Sequence, residues 1–196
     1  MGMPETTDRW TRERVLALPD DGNRYELFDG ELLVTPAPAA PHQFAVVLLQ
    51  RAIDPYVLSQ RLGWTFTCAA DLHLGGDQLS QPDLFVVPDI PADRSWAHFP
   101  NPILVVEILS PSSARFDRLI KRRRFQRAGI REYWIVDLDA RTIERWRPGD
   151  ERGEVLDEQL SWRPAGVTEA LALNLPTLFS EVWGHPSGRG SFDRIE

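Results

Sequence analysis

Pro102-Ile103-Leu104-Val105-Val106-Glu107-Ile108-Leu109 is an apolar run with a single acid set into it. Such a run reads as a strand buried on both faces. An ionised carboxylate there costs several kcal/mol unless it is paired or holds a metal. Upstream, Pro82-Asp83 opens a second strand of the same kind, Leu84-Phe85-Val86-Val87. Downstream lies Lys121, the chain's only lysine. Two acids and a lysine are the inventory of a magnesium-dependent phosphodiesterase. That chemistry needs a metal to polarise the phosphate and acidify water, and a cation near the developing charge. Magnesium takes one or two carboxylates and several waters, which Asp83 and Glu107 at neighbouring strand ends would supply.

The lysine sharpens this reading. The chain uses arginine 21 times and lysine once, and lysine offers a compact ammonium where arginine presents a planar fork. On a helical wheel Arg118, Arg122 and Gln126 share a solvent face, whereas Lys121 groups with Asp117, Phe125 and Ala128. Lys121 is thus either catalytic or half of a helix-stabilising i, i+4 pair with Asp117. Residues 115–131 carry a net +7 in a chain of net −7. The acidic total excludes a protein that coats nucleic acid with its whole surface. The local run reads as a solvated helix face or as a phosphate-binding one, with Arg122, Arg123 and Arg124 at its centre.

Working outward, residues 8–18 read as a helix capped by Thr6, Thr7 or Asp8 and stopped at Pro19. Tyr25 to Val34 reads as a hairpin turning at Asp29-Gly30, which pairs Phe28 with Glu31. Glu26, Phe28, Glu31 and Leu33 then share a face, and Glu31 is either solvated or lining a cleft. Residues 42–62 read as a helix, kinked or interrupted at Pro55 and ended by Gly63. His42 at its head is a core or cap residue, or a catalytic one. Strands follow at Trp64–Ala69 and Asp71–Leu74, with a turn at Gly75-Gly76-Asp77. The Ser110–Ser113 segment can cap a helix over 115–128, closed by Gly129. A hairpin over 131–147, a strand over 155–160 and a short helix near 175–183 complete the chain. The pattern predicts an α/β domain with a mixed sheet flanked by helices. The domain is expected over 8–184, between tails at 1–7 and 185–196, the latter disordered.

At 196 residues the length suits one domain. No run is long enough for a membrane span, and Met1-Gly2-Met3-Pro4-Glu5 lacks a signal-peptide core. Cys68 is alone, which rules out an internal disulfide and a thiolate metal site. The expected compartment is the cytoplasm.

Several pieces occur in a fixed order: Tyr25 to Glu31, His42, Pro82-Asp83, Val106 to Pro111, Asp117 with Lys121, and Gly129 to Asp137. In that order they resemble the Uma-two family of restriction endonucleases, a branch of the PD-(D/E)XK nuclease superfamily. The resemblance runs from about residue 8 to 183. It implies a restriction-endonuclease-like core, with Asp83 as the first acid of the motif, Glu107 as the second and Glu31 as the acid that precedes them. The motif's lysine would stand where Leu109 is, and Lys121 looks like its relocated equivalent. Phe125 stands where the family shows tyrosine. The resemblance further implies Mg²⁺ or Mn²⁺ held by Asp83, Glu107 and the Ile108 carbonyl, with His42 and Asp117 in support. The expected activity is endonucleolytic cleavage of DNA, and the expected partners are DNA and a second copy of the chain in a dimer. Two rival classes are a nuclease-fold module that binds or regulates without cutting, and a two-carboxylate glycosidase. The lone lysine and basic helix disfavour the glycosidase.

Overall fold

The computed structural model describes residues 9–67, 70–76, 78–111 and 113–184. Both expected tails, the caps Thr6 to Asp8, and Cys68, Ala69, Asp77 and Ser112 lie outside them. Helix α1 is short, Arg12–Leu16, with Thr11 as its cap. Strands β1 (Arg24–Phe28) and β2 (Glu31–Thr35) form the expected hairpin, with Phe28 opposite Glu31. Asp29 and Gly30 take φ of 55° and 84° at its turn, the left-handed pair that a type I′ turn requires.

Helix α2 (Ala40–Ser59) runs through Pro55 and stops before Gly63. The expected interruption is absent, so the helix tolerates one missing backbone donor. Gly63 serves a different purpose: a Cβ there would come within 1.8 Å of the Val87 carbonyl oxygen. Short strands β3 (Trp64–Thr67), β4 (Leu72–His73) and β5 (Leu79–Ser80) follow, then β6 (Leu84–Val87) and β7 (Leu104–Ile108). The basic helix is continuous: α3 (Ala114–Phe116), a π-helical turn (Asp117–Lys121) and α4 (Arg122–Arg127). Strands β8 (Tyr133–Asp137) and β9 (Thr142–Trp146) form the second expected hairpin. The strand expected over 155–160 is two, β10 (Glu154–Leu156) and β11 (Gln159–Trp162), because Asp157-Glu158 turns the chain between partners. Strand β12 (Leu171–Asn174), unforeseen, pairs with β11, and α5 (Leu175–Val182) closes the domain on the Asn174 cap.

The main sheet has the order β10-β9-β8-β7-β6-β3 and is mixed, β7–β8 being its parallel pair. A second sheet, β2-β1-β5-β4, is antiparallel. Strand alternation divides the main sheet's side chains into two cores. Leu84, Val86, Leu104, Val106, Trp134 and Val136 pack with α2 and α5. Phe85, Val87, Val105, Tyr133 and Ile135 pack around Phe125 of the basic helix. Burial on both faces is what the unbroken apolar runs of β6 and β7 require. Glu107 has the parity of Val105 and therefore faces the basic helix, not α2.

Candidate active site

The β6–β7 register pairs Leu84 with Val106 and Phe85 with Val105. Continued by one step, it sets Asp83 opposite Glu107. Both side chains are almost fully buried, at 1% and 2% exposure. Asp83 accepts from Arg24 Nη1 at 2.7 Å and from the Ile108 amide at 2.8 Å, and lies 3.1 Å from His42 Nε2. Burial works to raise its pKa, but the bonds from His42, Arg24 and Ile108 outweigh it and hold the carboxyl below its ordinary value.

Glu107 is held from the helix side, where Lys121 Nζ donates to its Oε1 at 2.9 Å. Lys121 also meets Glu26 Oε2 at 2.8 Å and Asp117 Oδ1 at 3.3 Å. Glu26 is itself clamped, accepting from the Ser80 hydroxyl and the Gln81 amide, each at 2.9 Å. Three carboxylates therefore surround one ammonium. Burial raises the Glu107 pKa well above the carboxylate range; Lys121 opposes this, and Asp83, Asp117 and Glu26 add to it. Asp117 is raised in the same way, burial first. For Lys121 burial works downward, yet Glu107, Glu26 and Asp117 lift its pKa well above the ordinary value. Burial leads the rise at both acids and neighbouring carboxylates add to it, while the same acids overcome burial at Lys121, so the cluster favours bound protons or cations.

The π-helical turn is what aligns the helix with this cluster. Ser113, Asp117, Lys121 and Phe125, all buried, recur every four residues. In an α-helix a step of four overshoots a full turn by about 40°, so three steps would wind the row about 120° around the axis. A wider turn keeps it in line.

Glu31 does not reach the cluster. It shares the inner face of the hairpin with Glu26 but stands beside the turn, exposed. The acid brought to the lysine is Glu26, and Arg24 on the same face reaches Asp83. Neither was singled out from the sequence. The signal was available in the alternation Arg24, Glu26, Phe28, in which two charged residues share a face with an aromatic; Phe28 packs edge-on against Phe116, with ring centroids 5.3 Å apart. His42 and Asp117 both stand within the cluster.

The basic helix differs from its wheel. Arg118 bonds to Asp137 at 2.8 Å and Glu144 at 2.6 Å, so it faces the β8–β9 hairpin and not open solvent. Arg122 lies over Trp146, its guanidinium 4.4 Å from the ring centre, and Arg124 pairs with Asp29. Arg123 is exposed.

A cleft of about 470 Å³ lies at the carboxyl ends of β7 and β8, and Arg24, His42, Arg118, Pro111 and Trp183 are among the residues that line it. Arg24 and His42 are both partners of Asp83, so the buried cluster sits directly behind the cleft wall. The donors suit a hard divalent cation: two facing carboxylates, and four buried acids against Arg24, Lys121 and His42. With all four ionised the acids would outnumber these cations, an excess that a proton on Glu107 or a bound cation relieves. Among the described residues no group of three or more His, Cys, Asp or Glu side chains is arranged as a ready-made metal cage. A magnesium site of two carboxylates plus water does not need one.

A family model described as Uma2, putative restriction endonuclease, matches residues 12–179. The chain is also similar to a solved structure, a putative nuclease belonging to DUF820 from Anabaena variabilis. The two share 25% identity over 88% of this chain and 99% of that one, with a TM-score of 0.71. No curated protein matches.

Proposed function

The chain belongs to the Uma2 family, and from that membership we propose that it is a metal-dependent endonuclease hydrolysing DNA phosphodiester bonds in the cleft at the carboxyl ends of β7 and β8. One observation carries this reading. Asp83, Glu107 and the lone Lys121, from three separate elements, converge behind the cleft wall in one buried cluster with Glu26 and Asp117.

Asp83, Glu107 and the Ile108 carbonyl would hold Mg²⁺ or Mn²⁺. Such an ion, when bound, supplies charge against the phosphate and acidifies a water. Lys121, protonated at neutral pH by its three acids, serves as a fixed positive charge for the transition state and not as a base. Glu26 and Asp117 set its direction. His42 orients Asp83 through Nε2. Arg24 and Arg118, on the cleft wall, are the cations within reach of an entering phosphate, and Arg123 gives the exposed face of the helix a further phosphate contact. Arg122 and Arg124 can join it by giving up Trp146 and Asp29. We propose Glu26, not Glu31, as the third acid of the site.

A second reading, a nuclease fold that binds without cutting, draws on the same geometry. Asp83 is already bonded to Arg24 and Ile108 and paired with His42, and Glu107 is bonded to Lys121, as in a buried structural network. Incubating supercoiled plasmid with Mg²⁺ or Mn²⁺ separates the two. Nicking that Asp83→Asn abolishes is expected. Inert wild type, with no thermal shift from either metal, would establish the binding module.

A further inference from the structure

A larger cleft lies at the opposite end of the sheet. Because β7 and β8 are parallel, the residues that precede them share one edge, and there a cavity of about 960 Å³ opens beside Pro102, Ile103 and Arg131. Arg61, Arg131, Arg147 and Arg163 line it, against Glu132 as the single acid of its wall. An adjoining cavity of about 520 Å³ shares Glu132, Arg147 and Arg163 and adds Arg145. A chain of net −7 thus gathers five guanidiniums from four segments around one concave strip, with Glu154 beside Arg145 and Arg147.

The strip is built, not merely decorated. Glu132, nearly buried, accepts from the Trp134 indole at 2.8 Å and from Arg147 Nε at 3.3 Å, which fixes Arg147 at its root. Arg145 grips Glu154 with two nitrogens, at 3.0 and 2.6 Å, and donates to the Ser161 carbonyl. Arg61 follows α2 with φ 53°, two residues before the tight passage of Gly63 against β6. Pro88, Pro102, Pro148 and Pro164 stiffen the rim. With Arg145 and Arg147 held by acids, Arg61, Arg131 and Arg163 are the guanidiniums left to meet a ligand, and converging guanidiniums are the recognition chemistry of phosphate esters.

We propose that this strip is a second anion site, taking phosphate groups of a nucleic-acid strand or of a free nucleotide, with Arg131 and Arg163 as its exposed contacts. It does not depend on whether the other cleft cuts. Ile103 and Leu109 mark the two edges, and six residues of strand span about 20 Å. At the 3.4 Å stacked rise, about six nucleotides cover that distance, and a mononucleotide cannot reach both clefts.

The test is binding in EDTA, where cleavage plays no part. ADP, a tetranucleotide and a 20-nucleotide strand are titrated against wild type, Arg131→Gln/Arg163→Gln and, as a control on charge alone, Arg51→Gln/Arg152→Gln. Equal melting temperatures verify folding. The site is supported if the first variant weakens at least one ligand about tenfold or more while the control does not, with a salt slope for the strand shallower by about 1.4. Loss with ADP and the tetranucleotide identifies a nucleotide site; loss with the 20-mer alone identifies a strand-binding one. Wild-type affinity for all three ligands in the Arg131/Arg163 variant, or equal loss in the control, overturns the proposal.

Discussion

Lys121 Nζ lies 2.8 Å from Glu26 Oε2, joining the basic helix to the first hairpin across nearly half of the sequence. That contact sets Glu26 apart from Glu31, which shares its face of the hairpin. Glu26→Ala leaves Ser80, the Gln81 amide and Lys121 each short of a partner and should cost about 3 kcal/mol. Glu31→Ala should stay within about 0.5 kcal/mol. Urea unfolding of both variants measures the difference. Equal losses would remove Glu26 from the cluster's support.

Lys121→Arg keeps the charge but forces a planar fork into a space where three carboxylates close on one ammonium. Cleavage should fall by roughly two orders of magnitude, the scale of losing one positioned charge. Lys121→Met strands all three acids and should unfold at markedly lower temperature. An active Lys121→Arg protein would show that the lysine only holds the scaffold together.

Magnesium or manganese should raise the melting temperature by mass action, since binding to the folded state alone stabilises it. Asp83→Asn should remove that rise. Thermal scans with equal shifts in both proteins would place the ion elsewhere.

Glu107 gives the metal-free protein a characteristic pH profile. Its folded pKa stands well above the ordinary 4.5, so above pH 4.5 the unfolded chain has shed a proton that the folded one keeps. Stability is therefore lost as pH rises through that window. Asp117 adds to this fall, while the lowered pKa of Asp83 acts oppositely, and only at about pH 3.8 and below. Unfolding of wild type and Glu107→Gln in EDTA from pH 5 to 9 should show the flatter curve for the variant. Parallel curves would mean that Glu107 is ionised throughout.

What the sequence revealed depended on how local each signal was. The Asp29-Gly30 hairpin and the doubly buried β6 and β7 were legible because turn chemistry and apolar runs act over a few residues. The pairing of Asp117 with Lys121 was legible from spacing alone. Lys121's other two acids were not, because a helical wheel is silent about the strand that packs against it. Arg118 was misplaced for the same reason: its partners Asp137 and Glu144 arrive with a later hairpin. The split of residues 155–160 into two strands was hidden because β12, the partner that captures β11, carries no turn or alternation strong enough to announce itself.

Glu26 and Lys121 are some 95 residues apart, and a ribosome adding about 5–20 residues each second needs about 5–20 s to pass from one to the other. Through that interval Glu26 waits for its cation, whereas Arg24 meets Asp83 earlier and Glu107 and Asp117 lie within 14 residues of Lys121. The full set of acids around the ammonium therefore closes only after Lys121 has been added, past the midpoint of the chain.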